Sequence, residues 1–93
     1  MGEKACRVLV AGMVTGVGFR YSTIREASRY PEIQGTVRNV TSRQVECVVQ
    51  GPAPDVDDVV AWLRHGPSSA RVLECKVTEI PVDPRLSGFR VVF

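Results

Sequence analysis

Apolar and polar residues along the chain follow two different periods, which together predict five strands and two helices. Five segments are apolar or alternate between apolar and polar residues, as strands do: residues 6–13, 35–41, 43–50, 72–80 and 88–93. A tight turn at Ser42 separates the second segment from the third and predicts an antiparallel hairpin. On the third strand Gln44, Glu46 and Gln50 share one face, so we expect that face of the sheet to be solvated.

Two segments between the strands suit helices. The first, residues 21–30, is stopped by Pro31, because proline disfavours helical backbone at the residue before it. The second carries four apolar residues at helical spacing: Val56, Val59, Val60 and Leu63. Asp55 is predicted to cap the start of this second helix, and Gly66 is predicted to close its end.

The order of these elements predicts the fold class. Strand, helix, strand, strand, helix, strand is the split βαβ arrangement of a ferredoxin-like α+β sandwich, in which two helices cover one face of an antiparallel sheet. A short extra strand follows at the C-terminal end. Right-handed crossovers place the first strand in the centre, beside the third and the fourth. At 93 residues, we expect residues 1–93 to form a single domain.

Alternation also assigns the buried side of the last two strands. The residues expected inward on the fourth strand are Leu73, Cys75 and Val77, and those sharing one face of the last strand are Phe89, Val91 and Phe93. Cys75 would then face the helices together with Cys6 and Cys47 on adjacent strands. Three widely spaced cysteines suit neither a disulfide framework nor a paired-cysteine zinc motif, so we expect buried thiols and no metal or other cofactor. Metal binding is the minor alternative, since thiolates are costly in an apolar core.

Composition and charge narrow the class of partner. The chain is 44% hydrophobic and 24% charged, as an ordinary globular protein is. Its formal net charge of +2 is too small for a nucleic-acid footprint, and its basic residues form no run. It contains no stretch with the length of a signal peptide or a transmembrane helix. We therefore expect a cytoplasmic protein that binds neither nucleic acid nor membrane.

The candidate chemistry lies in residues 12–20 (GMVTGVGFR), here called the glycine-rich loop, between the first strand and the first helix. Glycines permit a sharp turn and the close approach of a ligand. Free backbone amides, the positive end of the helix and the guanidinium of Arg20 would converge there on an anion. An arginine fork favours phosphate, since it binds two oxygens at once. The alternative, left open by the loop alone, is a plain connection with a surface arginine.

The spacing of the loop excludes the common nucleotide motifs. A P-loop requires Lys and then Ser or Thr after its last glycine, but Val17 follows Gly16. The dinucleotide fingerprint requires a third glycine where this chain has Tyr21. An RNA-recognition domain would carry aromatic residues on its third strand, and residues 43–50 contain none.

Several motifs resemble the acylphosphatase family over nearly the whole chain. The family's first signature, of the form G-x-V-Q-G-V-x-F-R, corresponds to residues 12–20 (GMVTGVGFR). The second, which leads to an asparagine on the next strand, corresponds to residues 35–39 (GTVRN). Residues 66–72 (GPSSARV) also match the family pattern.

The resemblance implies an enzyme that hydrolyses small-molecule acyl phosphates to a carboxylate and inorganic phosphate without a metal. It implies that Arg20 and Asn39 are catalytic, with Asn39 orienting the attacking water. The backbone that would bind the phosphoryl group belongs to Val14, Thr15, Gly16, Val17, Gly18 and Phe19. From the residues alone, Asn39 is typical of a turn at the end of a strand.

The chain also departs from the family pattern. Thr15 stands where the loop usually has glutamine, and Ser42 and Arg43 stand where a turn glycine is frequent. Thr15 keeps open an alternative function, a module that binds phosphate or carbamoyl phosphate with little or no turnover. The apolar residues expected on the open face of the sheet are scattered, which is ordinary for a protein surface, so we expect a monomer.

Overall fold

The computed structural model describes residues 2–93 and contains seven regular elements. They are β1 (Glu3–Met13), α1 (Phe19–Ala27), β2 (Gln34–Thr41), β3 (Gln44–Pro52), α2 (Ala53–Leu63), β4 (Arg71–Ile80) and β5 (Phe89–Val91). Their type and order are those predicted from the sequence. The largest differences in boundary are the start of β1, three residues earlier than predicted, and the end of α1 at Ala27 rather than at residue 30.

The five strands form one sheet in the order β4-β1-β3-β2-β5, with β1 between β3 and β4 as predicted. All neighbouring pairs are antiparallel except β2 and β5, which are parallel, so the sheet is mixed. The reason lies in the chain path. The last residues of β4 and the first residues of β2 lie at the same end of the sheet, so β5 starts at that end and runs in the same direction as β2. The predicted ferredoxin-like α+β class is confirmed with this one addition.

Both helices cover one face of the sheet, with α2 on β1 and β3 and with α1 on β2 and β5. The apolar stripe predicted for α2 is confirmed, since Val56, Val59 and Leu63 are fully buried. They belong to the same core cluster as Val8 and Val10 of β1. Each such side chain, moved out of water, stabilises the fold by about 1.5–3 kcal/mol.

The N-terminal end of α2 differs from the prediction, whereas its C-terminal end agrees with it. Asp55 is not the cap: Pro52 precedes the helix, no side chain caps it, and Asp55 lies in the first turn. There its carboxylate still stabilises the positive helix end, by about 0.3–1 kcal/mol. Gly66 closes the other end as predicted, since it has a φ of 70° and its amide donates to the carbonyl of Trp62 at 2.8 Å.

A β-bulge makes the prediction for Leu73 wrong. Ala11 pairs with Glu74, but the next residue, Gly12, pairs with Val72, so Leu73 is an extra residue on β4. An unpaired residue reverses the alternation beyond it. Leu73 therefore points outward and is 60% exposed, whereas the residues on either side of the bulge pack against the core: Val72, Cys75 and Val77.

The three thiols lie in or against the core as predicted. Cys6 and Cys47 are buried, Cys75 is half-buried, and all three are free. Burial raises the pKa of each thiol above its ordinary value, so each is held in the protonated form. Within residues 2–93 no three side chains of His, Cys, Asp or Glu are grouped so that they could hold a metal ion.

The solvated face of the sheet is covered around Gln50, where Ala5 on the paired strand is also buried. Gln50, predicted to face water, is only 2% exposed because Asp83 lies over it. Asp83 belongs to residues 81–88, here called the crossing segment, which connect β4 at one edge of the sheet to β5 at the other.

Neither described helix has the length and apolar character that a membrane crossing requires.

Candidate active site

Three glycines shape the backbone of the glycine-rich loop between β1 and α1. Gly12, Gly16 and Gly18 have φ angles of 137°, 71° and 75°, which side chains disfavour. At Gly12 a Cβ atom would also lie 2.3 Å from the carbonyl oxygen of Arg71, so β4 itself requires a glycine there. At Gly16 and Gly18 a Cβ atom would meet nothing within 4 Å. The backbone of the loop is therefore accessible at these two positions.

The amides of residues 14–21 form a run of free donors. None of them donates a hydrogen bond to another residue in the described part of the chain, and the first helical bond runs from the amide of Ser22 to the carbonyl of Gly18 at 2.9 Å. The start of α1 has no side-chain cap and no acidic residue in its first turn. The positive helix end and its donors are thus uncompensated, which is the arrangement that binds anions.

Polar contacts fix the loop to two neighbouring segments. The Thr15 hydroxyl donates to the carbonyl of Ser42, and the amide of Gly12 donates to the carbonyl of Arg43 at 2.9 Å. Both acceptors lie in the turn between β2 and β3. On the other side, the Ser69 hydroxyl donates to the carbonyl of Val17 at 2.8 Å. The loop is therefore held from both sides while the amides of residues 14–20 stay free.

Two side chains of the loop are buried in the core. Val14 and Phe19 are each 1% exposed, and the Phe19 ring lies 6.0 Å from the ring of Trp62. Phe19 also contacts Gly66, where a Cβ atom would lie 2.5 Å from the phenyl ring. These two buried residues anchor both ends of the loop in the core.

Arg20 is half-buried and lies against an aromatic ring. Its guanidinium carbon is 5.4 Å from the centroid of the Phe93 ring, within cation–π distance. Among the described residues no carboxylate forms a salt bridge with Arg20. The aromatic face lies against the guanidinium without neutralising it, so its positive charge remains available.

Asn39 is exposed near the end of β2, at the same end of the sheet as the glycine-rich loop. Its position relative to Arg20 follows from the pairing of β2 with β5. Val37 pairs with Val91, and the amide of Val92 donates to the carbonyl of Val37 at 2.9 Å. This pairing carries the chain beyond β5 toward the end of the sheet at which Asn39 lies.

The role of Phe93 is the part of the site that sequence analysis missed. Alternation predicted that Phe93 shares a face of the last strand with Phe89 and Val91, but Phe93 lies beyond the end of β5 and is 95% exposed. Its aromatic character at the end of a strand was the available signal. Only the parallel pairing of β5 with β2 shows that this end of the strand reaches Arg20.

Known proteins match this chain in sequence and in fold. A family model described as acylphosphatase matches residues 6–91. An acylphosphatase from Burkholderia thailandensis is 48% identical over 83 residues, which cover 89% of this chain and 84% of that protein. The structure of an acylphosphatase from Coxiella burnetii has a TM-score of 0.88 and 34% identity, covering 97% of this chain and 93% of that one. One from Bacillus subtilis has the same TM-score at 30% identity, covering 97% and 99%.

The agreement extends over nearly the full length of each of these proteins. It includes the glycine-rich loop and the strand that carries Asn39, both of which fall inside the matched residues. The chain belongs to the acylphosphatase family.

Proposed function

We propose that this member of the acylphosphatase family hydrolyses acyl phosphates by holding the phosphoryl group in the glycine-rich loop while Asn39 orients the attacking water. The proposal rests on one observation, which is that free backbone amides and an unpaired arginine lie side by side in the described part of the chain. The amides of residues 14–21 are free at the uncapped start of α1, and Arg20, beside them, has no carboxylate partner among the described residues.

The phosphoryl group would be bound mainly by backbone. Its oxygens accept hydrogen bonds from the amides of residues 14–19, and the guanidinium of Arg20 donates to two of them. Phosphoryl transfer has a loose transition state with charge spread over these oxygens. Donors that are already fixed in place stabilise that charge without reorganising. The anchors at Thr15, Ser69 and Phe19 support such preorganisation.

The attacking water would be oriented by Asn39. A neutral amide can accept a hydrogen bond from the water and donate one to the substrate without adding negative charge beside the phosphate. As the water oxygen bonds to phosphorus, the bond from phosphorus to the acyl oxygen breaks and the carboxylate leaves with the electron pair. A carboxylate departs without being protonated, and the water proton passes to a phosphoryl oxygen. The mechanism therefore requires no general base from the protein.

The positive charge at the site would come from Arg20 and the end of α1. Both are built from the chain itself, so we expect hydrolysis to proceed without a metal ion or another cofactor. The alternative of a binding module with little turnover is not favoured. The relatives that match along most of their own length are acylphosphatases.

We also expect residues 1–93 to act as one domain and as a monomer in the cytoplasm, on a small molecule rather than on nucleic acid or a membrane. Three free, protonated thiols suit a reducing compartment. The net charge of +2 supports the absence of a nucleic-acid partner. Sedimentation of the purified chain tests the monomer, and a stable dimer would contradict it.

The decisive experiment measures phosphate release from acetyl phosphate and benzoyl phosphate in the presence of EDTA. We expect turnover by the native chain and a loss of at least about 10²-fold in Arg20→Ala and in Asn39→Ala, by comparison with a single oxyanion-hole donor. Arg25→Ala is the matched control, because Arg25 lies on the same helix but outside the loop. Native turnover no higher than that of Arg20→Ala would overturn the proposal, and loss of activity in EDTA would overturn its metal-free mechanism.

A further inference from the structure

The side chain of Gln50 makes a pair of hydrogen bonds that is typical of a backbone rather than of a side chain. Its Nε2 donates to the carbonyl of Asp83 at 2.9 Å, and its Oε1 accepts from the amide of Asp83 at 2.8 Å. Nε2 also lies 3.4 Å from Oε1 of Gln34 on the neighbouring strand. The primary amide thus satisfies both backbone groups of Asp83, as a paired strand would, on the face of the sheet away from the helices.

These bonds attach the crossing segment at a point inside its length. Residues 81–88 must pass from β4 at one edge of the sheet to β5 at the other. At the attachment the segment makes a turn, in which the amide of Leu86 donates to the carbonyl of Asp83 at 3.2 Å and Pro84 occupies the second position. Most of the segment is exposed, and Gln50 is the side chain that bonds it to the centre of the sheet.

The crossing segment leads to β5, whose residues Phe89 and Val91 pack against the core beneath α1. This strand has three residues, lies at the edge of the sheet and pairs only with β2. The backbone bond from Gly35 to Gly88 at 2.8 Å joins its start to β2, and the bond from Val92 to Val37 at 2.9 Å joins its end. Beyond that end lies Phe93, on whose ring the guanidinium of Arg20 rests.

We propose that Gln50 is a positioning residue for Arg20, which acts through the crossing segment, β5 and Phe93. The inference rests on the proposed role of Arg20. Gln50 lies five positions along β3 from Val45, the partner of Asn39, so it is about 17 Å from the site at about 3.4 Å per residue. Its bonds to Asp83 fix where β5 starts, and therefore where the Phe93 ring lies relative to the guanidinium of Arg20.

The test separates positioning from stability with four variants of the full chain. Gln50→Met keeps the length of the side chain and removes both bonds to Asp83. Phe93→Leu removes the aromatic face, and the third variant combines the two changes. Val56→Ala is the control for stability, because it weakens the core on α2, which covers β1 and β3 rather than β5. All are assayed well below their unfolding midpoints.

We expect Gln50→Met to lower kcat/KM for benzoyl phosphate by about 10-fold, less than the 10²-fold that a misplacement of about 1 Å can cause. Inhibition by inorganic phosphate, which Arg20 would also bind, weakens by a similar factor. The double variant is no worse than Phe93→Leu, because both changes act on one element. Hydrogen exchange of the Val92 amide speeds up relative to amides of β1. Val56→Ala leaves all of these values unchanged.

The outcomes distinguish the inference from the proposed function. Additive losses in the double variant, or unchanged phosphate inhibition in Gln50→Met, overturn the role of Gln50 while Arg20→Ala still abolishes activity. Full activity in Arg20→Ala overturns the proposed function instead. If Gln50→Met does not fold, Gln50→Glu replaces it, since it keeps the acceptor for the Asp83 amide and loses the donor. Native values of kcat/KM and phosphate inhibition in Gln50→Glu then overturn the inference.

Discussion

The hydroxyl of Thr15 donates a hydrogen bond to the backbone carbonyl of Ser42, so the glycine-rich loop is tied to the turn between β2 and β3. The two residues are 27 positions apart, and each stands where the chain departs from the family pattern. A threonine is shorter than the usual glutamine, but here it reaches a carbonyl that the hairpin turn presents to it. Thr15 therefore anchors the loop although it replaces the usual glutamine.

Removing this anchor should loosen the loop without unfolding the protein. Thr15→Val keeps the shape of the side chain and loses the hydroxyl, and we expect it to cost about 0.5–1.5 kcal/mol in the free energy of unfolding. We expect kcat/KM to fall several-fold, because the amides of the loop are then less well fixed. Chemical denaturation and phosphate-release kinetics measure the two effects, and Thr15→Ser, which keeps the donor, should retain most of the activity. Equal losses in both variants would contradict this role of the hydroxyl.

Two glycines of the loop should respond differently to the same substitution. Gly12→Ala places a Cβ atom 2.3 Å from the carbonyl oxygen of Arg71 at a φ of 137°, so we expect a destabilised protein, with backbone strain alone costing about 1–3 kcal/mol. Gly16→Ala places its Cβ in open space at a φ of 71°, which should cost roughly 1–2 kcal/mol and leave the fold intact.

The measurements for this pair are denaturant unfolding and inhibition by inorganic phosphate. If phosphate occupies the space beside Gly16, folded Gly16→Ala binds it more weakly than the native chain does. Native phosphate binding in Gly16→Ala would show that the ligand lies elsewhere.

A conservative change at Arg20 separates the effect of the two parallel guanidinium donors from the effect of the positive charge. Arg20→Lys keeps the positive charge but loses the two parallel donors and the planar group that rests on the Phe93 ring. We expect its kcat/KM to lie between those of the native chain and Arg20→Ala, which measures the contribution of charge alone. Steady-state kinetics on acetyl phosphate resolve the three. Full activity in Arg20→Lys would show that bidentate binding is not required.

The buried thiol of Cys47 should make stability depend on alkaline pH. Burial raises its pKa in the folded protein, whereas an exposed thiol in the unfolded chain titrates near about 8.5. Above that pH the unfolded chain loses a proton that the folded protein keeps, so the stabilising contribution is complete below about pH 8.5 and is lost as the pH rises.

Urea denaturation between about pH 7 and 9.5 checks this expectation. The free energy of unfolding of the native chain should decline with pH more steeply than that of Cys47→Ala, by up to about 1.4 kcal/mol per pH unit. The variant is less stable at every pH because of the cavity it leaves, so only the slopes are compared. Identical slopes would show that burial does not keep the Cys47 thiol protonated in the folded protein.

The local pattern of the sequence was sufficient for the elements and for the loop. Apolar periodicity predicts β1, the hairpin and the stripe of α2 because burial of one face is decided by residues close together in the chain. Glycines with a following arginine likewise predict an anion site, since a run of free amides and a helix end are both local features. The structure has these features where the sequence indicated them.

Contacts between distant segments decided the rest. A one-residue bulge opposite Gly12 turns Leu73 outward, and the crossing segment buries Gln50. The parallel pairing of β5 brings Phe93 to Arg20, although 73 positions separate the two residues in the sequence. Alternation reports only which side of a strand a residue faces, and it cannot show which other segment covers that side. The sequence by itself therefore determined the secondary structure and the glycine-rich loop with its following arginine, because these are local features. Only the tertiary structure decided what lies against Arg20, because the Phe93 ring comes from the far end of the chain.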